Sequence, residues 1–162
     1  MTDLPIAPGE PTPPITRRGF VLALVPLALA AASCARAAEA QPLVTVYKTP
    51  TCGCCKGWVA HLRESGFEVK AIDLEDLTSI KRQRGVPDAL AACHTAIVDG
   101  YTIEGHVPAD VIRKLLKERP PVLGLVVPGM PAGSPGMESA TPEHYEVYTF
   151  DRSGPKAIYA AR

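Results

Sequence analysis

Three of the five cysteines in this 162-residue chain fall within four positions, in Cys52-Gly53-Cys54-Cys55. A fourth, Cys93, is followed directly by His94. A thiolate is both a nucleophile towards disulfides and a ligand for soft metals, so the stretch supports thiol–disulfide exchange or metal binding. Cys52 and Cys55 have the two-residue spacing of redox dithiols, whereas a bridge from Cys54 to either neighbour would be strained. Cys54 is therefore the residue that separates the two chemistries. A third thiol offers wrong pairings to clean dithiol exchange, but a polynuclear thiolate site needs sulfurs close enough to bridge ions. A pair of structural disulfides is the third reading, and the same crowding argues against it.

These thiols need an element that favours the thiolate, and the flanking sequence supplies one. Residues 43–47, β-branched and aromatic, read as a buried strand. Residues 54–64, with Trp58, Val59 and Leu62 on one face and Ser65-Gly66 after them, read as a helix. The cysteines then occupy a strand-to-helix turn, where unpaired N–H groups and the positive end of the helix dipole stabilise a thiolate. Further on, the alternation in residues 67–72 predicts a second strand, and residues 76–84 a second helix stopped by Gly85. Residues 94–98 and 101–104 predict a hairpin about Asp99-Gly100. Pro108 and Asp110 open a third helix over 109–118. Residues 120–142, dense in Pro and Gly, read as a long ordered loop that serves a site. Residues 145–151 and 157–160 read as a terminal hairpin around Arg152-Ser153-Gly154.

The order strand, helix, strand, helix, strand, strand, helix is that of an α/β domain with a thioredoxin-like mixed sheet flanked by helices, here with a C-terminal β-hairpin extension. Its first βαβ unit should be parallel and right-handed. One departure stands out: Pro87 lies well before the third strand, and Cys93 holds the position next to it.

The first 40 residues do not fit this domain. Arg17-Arg18-Gly19-Phe20 leads into an apolar run, 21–32, too short to span a bilayer comfortably, which reads as an export signal. The paired arginines resemble the twin-arginine type, a route for proteins that fold before export; an ordinary secretory signal with two basic residues is the other reading. Ala38-Glu39-Ala40 and Ala35-Arg36-Ala37 both fit a small-x-small cleavage site. Ala31-Ala32-Ser33-Cys34 is instead a degenerate lipoprotein box, in which Cys34 would be acylated. The folded domain is expected over residues 41–162, about 122 residues, enough to bury about two-thirds of its unfolded surface. The chain carries 17 basic and 17 acidic residues, three of each within the first 40, so the domain is also balanced. Such a balance gives no footprint for nucleic acid.

Over nearly all of residues 43–160 the chain resembles the CopG-type periplasmic copper-resistance proteins. The likeness rests on Tyr47-Lys48 with Pro50 and Cys52-Gly53-Cys54-Cys55, and on Cys93-His94-Thr95. It rests also on Glu104-Gly105-His106-Val107-Pro108-Ala109, and on Pro128-Gly129-Met130-Pro131 with Gly133-Ser134-Pro135-Gly136-Met137-Glu138. It implies a thioredoxin-like fold, copper at the cysteine cluster, a periplasmic location, and a role in copper redox chemistry or copper handling under stress.

Cuprous ion prefers thiolate and thioether ligands, so Cys52, Cys54, Cys55 and Cys93 are the expected metal ligands. Four thiolates carry charge that two or more cuprous ions offset, which favours several ions per chain. His106, in the turn before the third helix, is a candidate extra ligand or support for one; its alternative is a hydrogen bond within the turn. His94 is a weaker candidate, because strand alternation would point it away from Cys93. Met130 and Met137 are candidate thioether ligands, or else hydrophobic plugs. Lys56 would lower thiolate pKa and balance cluster charge, or be a solvated helix residue. His61 and His144 read as surface residues, and Trp58 as core.

The expected function is thus an exported protein that holds cuprous ions in a multinuclear thiolate cluster, redox-active and serving copper resistance. A thioredoxin-type oxidoreductase using Cys52 and Cys55 is the rival, and a passive copper store or chaperone another. Whether it turns over as a copper oxidoreductase stays open. Expected partners are copper ions and other periplasmic copper proteins or transporters; the membrane enters only through an anchor at Cys34.

Overall fold

The computed structural model describes residues 42–162, so the expected export signal over 1–40 and Cys34 lie outside the described residues. The described chain forms β1 (Val44–Lys48), α1 (Gly53–Glu64), β2 (Val69–Asp73), α2 (Thr78–Gln83), β3 (His94–Val98), β4 (Tyr101–Glu104), α3 (Ala109–Glu118), β5 (Gly124–Val126), β6 (Glu146–Asp151) and β7 (Gly154–Ala161). A 3-10 turn at Asp88–Leu90 precedes β3. The strands make one sheet in the order β2-β1-β3-β4-β5-β6-β7. It is mixed: β1/β2 and β4/β5 are parallel, and the remaining pairs antiparallel. The expected α/β architecture, a mixed sheet flanked by helices with a C-terminal hairpin, is what the chain adopts. No helix of the described residues is long and apolar enough to cross a membrane.

Period-2 alternation divides the core between the two faces of this sheet. Val44, Val46, Ala96, Val98, Ile103, Leu125 and Val147 join Trp58, Val59 and Leu62 of α1 and Val111, Ile112 and Leu115 of α3 in one cluster. Val126 and Phe150 pack with Val86 and Leu90 in a second. Leu125 and Val126 are sequence neighbours in different clusters, as alternation requires. Each fully buried Leu or Ile, such as Leu62, Ile112 or Leu115, contributes about 1.5–3 kcal/mol by leaving water.

Strand ends shift by one residue in β1 and β6, and β7 starts at Gly154, three residues before the expected 157; three further differences have a local reason. β2 starts at Val69, not Phe67, because Phe67 closes α1: its N–H bonds Leu62 O at 3.0 Å while Gly66 N–H bonds Arg63 O at 2.9 Å, the paired bonds of a Schellman end. α2 is shorter than expected, since Asp76 Oδ1 accepts from both the N–H and the hydroxyl of Thr78 and holds the chain in a turn before the helix. The stretch 120–142 is not all loop. Gly124–Val126 forms β5 between β4 and β6, a strand of three residues too short to show a period.

Candidate metal centre

The cysteine stretch begins α1. Cys52 is the N-cap, in an extended conformation, and its Sγ accepts from Cys55 N–H at 3.4 Å. This leaves Cys54 and Cys55 in the first helical turn, where backbone N–H groups favour negative charge. Cys52 and Cys55 are joined as a disulfide, with Cα atoms 5.4 Å apart, while Cys54 and Cys93 are free thiols. Cys54 Sγ lies 3.3 Å from Cys52 Sγ and 3.7 Å from Cys93 Sγ. Cys93 immediately precedes β3, as the sequence led us to expect. Cys55 Sγ is 3.5 Å from the Cys93 carbonyl oxygen.

Two histidines complete the arrangement. His106 Nε2 and His94 Nδ1 each lie 3.3 Å from Cys93 Sγ. The other ring nitrogen of His106, Nδ1, is 2.8 Å from Pro135 O. A carbonyl only accepts, so Nδ1 carries the hydrogen and Nε2 of the neutral ring presents its lone pair to Cys93. His94 is fully buried, packed at a tilt against Trp58 with centroids 4.4 Å apart and in a T-shaped contact with His106 at 5.1 Å. Its Nε2 has no hydrogen-bond partner. Trp58, a core residue as expected, donates its indole N–H to Val107 O at 2.8 Å. The expectation that His94 points away from Cys93 is corrected here. Alternation puts His94 on the α1 side with Ala96 and Val98, but Cys93 stands outside the ladder and is free to turn its sulfur to the same side.

The ligand atoms of Cys52, Cys54, Cys55 and Cys93 lie within 4.8 Å of one another, as do those of Cys93, His94 and His106. Cys93 belongs to both sets. Its thiol is pushed up to about 12, first by burial and then by the neighbouring Cys54. The His94 imidazolium is disfavoured to a pKa of about 3, by burial first and then by His106 and Lys81. Burial thus favours the neutral forms of Cys93 and His94.

The loop after β5 packs against this centre. An ideal Cβ on Gly136 would lie 2.5 Å from Cys54 O and 2.7 Å from Trp58 N, so only glycine lets the loop meet the α1 backbone this closely. Met137 follows at once, half-buried, its backbone held by bonds to Gly133 and Ser134. Met130 is 55 % exposed. Lys56 is exposed on α1, and His144 is exposed as expected. His61 is less of a surface residue than its sequence suggests: its Nε2 accepts the Ala109 N–H that opens α3, at 3.1 Å.

Sequence reasoning missed the groups behind these side chains. Pro135 O, which fixes the His106 ring, is a backbone atom and leaves no compositional signal. Glu104, fully buried, binds Lys81, Thr95 and the Ala92 N–H. Glu104, as the one acidic or basic (Asp, Glu, Lys or Arg) residue in the β3/β4 pair, was the signal that could have drawn attention to it.

The family model described as "Protein of unknown function, DUF411" matches residues 90–137, a span that holds Cys93, His94, His106, Met130 and Met137. Comparison with curated proteins gives no match. Two solved structures, described as copper resistance protein CopG in form 1 and form 2, are each 41% identical to this chain. Each alignment covers 75% of this chain and 98% of the other, with a TM-score of 0.70. With a fold that superposes, a cysteine cluster able to hold a metal and this level of identity, the chain belongs to the CopG family of copper-resistance proteins.

Proposed function

We propose that this is an exported copper-binding protein that holds cuprous ions through Cys52, Cys54, Cys55 and Cys93, with His106 Nε2 as a nitrogen donor. The observation that carries the proposal is the convergence of four sulfurs from two separate segments on one helix N-terminus, with a histidine lone pair aimed at the fourth. Cuprous ion, a soft cation, suits such a sulfur-rich set. His94 Nδ1 is a further nitrogen donor beside Cys93, Met137 and Met130 would bring thioethers from the loop after β5, and Lys56 would add positive charge on α1. Export through the signal in residues 1–40 would put the domain in the periplasm, free or tethered at Cys34.

Thiol chemistry is coupled to binding in this reading. Closing the Cys52–Cys55 bridge removes two ligands and releases two electrons, enough to reduce two cupric ions to cuprous ions. Opening it needs two electrons from a donor and restores the full set of sulfurs. The protein would then interconvert or buffer copper for other periplasmic copper proteins or transporters.

The Cys52–Cys55 bridge also favours a second reading, a thiol–disulfide oxidoreductase in which Cys52 attacks and Cys55 resolves. Anaerobic titration of the reduced protein with cuprous ion separates the two. Several ions per chain, with uptake abolished in Cys54→Ser, is the expected result. Uptake that survives Cys54→Ser, together with insulin-disulfide reduction needing only Cys52 and Cys55, would establish the second reading instead.

A further inference from the structure

Glu104 is fully buried, yet its carboxylate is not among the groups that could take a metal. Its two oxygens are occupied. Oε1 accepts from Lys81 Nζ at 2.5 Å and from the Ala92 N–H at 2.6 Å, and Oε2 accepts the Thr95 hydroxyl at 2.7 Å. Lys81 Nζ also donates to Thr95 Oγ1 at 2.9 Å. One carboxylate therefore joins α2, the segment before β3, β3 and β4.

The positions of these bonds matter more than their number. Ala92 and Thr95 bracket Cys93 and His94, so the carboxylate ties the chain on both sides of the pair, through the Ala92 N–H on one side and the Thr95 hydroxyl on the other. Thr95 and Glu104 are register partners in the β3/β4 ladder, and Glu104 stands two residues before His106. Gly105 N–H, between them, reaches back to His94 O at 3.4 Å. By alternation Thr95 and Glu104 lie on the sheet face opposite Ala96 and Ile103, hence away from the Trp58 core. A buried ion pair is a poor device for stability, because desolvation offsets most of its attraction. It is a good device for position, since a carboxylate accepting three directed bonds has little freedom left.

We infer that the Glu104–Lys81–Thr95 network is the positioning clamp of the centre, setting Cys93, His94 and His106 against the α1 thiols without touching the metal. The inference rests on the copper-binding reading above. Outer groups of this kind change metal affinity by about 10- to 100-fold when removed.

Thr95→Val deletes the hydroxyl with little change in shape, Thr95→Ser restores it, and Glu104→Gln alters the carboxylate itself. The expected result is that Thr95→Val and Glu104→Gln bind cuprous ion about 10- to 100-fold more weakly in competition with bathocuproine disulfonate. Their copper–thiolate luminescence should shift, and Thr95→Ser should return both readouts to wild type. In the metal-free oxidised protein, Thr95→Val should also alkylate several-fold faster at Cys93, read by peptide mass spectrometry. Wild-type affinity, luminescence and Cys93 alkylation in a folded Thr95→Val would overturn the clamp, even if the variant melts lower. Should Glu104→Gln fail to fold, the Thr95 pair decides alone. Should wild type take up no cuprous ion, the copper reading fails and the alkylation rate still judges the clamp.

Discussion

Gly136→Ala tests whether the loop that follows β5 is seated on the metal centre or merely near it. Gly136 has φ +83°, a region that costs a residue with a Cβ about 1–2 kcal/mol. The added methyl would also point into Cys54 O and Trp58 N, at 2.5 and 2.7 Å. Neither atom can yield alone, because both belong to the backbone of α1. The approach is reciprocal, since a Cβ on Gly57 would lie 2.9 Å from Gly136 Cα. Overpacking of this kind costs about 1–3 kcal/mol, so the two effects together reach about 2–5 kcal/mol. Even the lower figure should lower the melting temperature by about 6 °C or more in a domain of this size, read by circular dichroism on metal-free protein. The chain has one cheaper response, which is to lift the loop. In that case the melting temperature falls less, but amides of 133–137 exchange faster and His106 loses the Pro135 carbonyl that orients it. A Gly136→Ala protein with wild-type melting, exchange and cuprous affinity would refute the reasoning.

Two further outcomes follow from the same geometry. Trp58→Phe removes the donor to Val107 O and leaves a buried carbonyl unpaired, at a cost of about 1–3 kcal/mol; chemical denaturation followed by circular dichroism measures it, since the chain's single tryptophan is gone. The Cys93 thiol, raised to about 12 chiefly by burial, keeps its proton at neutral pH, so cuprous binding must expel it. Higher pH then favours binding, and log affinity should rise by at least about one unit per pH unit between about pH 6 and 9; a flat profile in competition with a chelator of pH-independent affinity would contradict this.

The elements with a clear period were legible in the sequence, and those without one were not. β3, β4 and α3 have the bounds that the hairpin signal at Asp99-Gly100 and the apolar face of Val111, Ile112 and Leu115 imply. β5 escaped because three residues in a Pro- and Gly-rich stretch cannot display alternation, although all three are buried. The cysteine motif and Cys93 were legible as chemistry, because adjacent thiols have few other uses. His94 was misjudged because alternation was applied across a strand boundary, where Cys93 no longer obeys it. Glu104 went unassigned because its role depends on Lys81 and Ala92, which are 23 and 12 residues distant in sequence.

The loop after β5 decides which nitrogen of His106 the thiols meet. The first turn of α1 alone would present an ordinary dithiol with a crowded third sulfur. Cys93 enlarges it to four sulfurs, but a sulfur-only set gives no direction to the histidine beyond it. Pro135 O supplies that direction by occupying Nδ1, which leaves Nε2 as the lone pair facing Cys93 Sγ. The ring also meets His94 in a T-shaped contact, and His94 in turn packs at a tilt on Trp58. Loop and core therefore both act on His106, one fixing the tautomer and the other the ring plane. This is why Gly136→Ala should weaken a nitrogen contribution while sparing the thiols, whereas Cys54→Ser removes the sulfur that links the two halves of the centre.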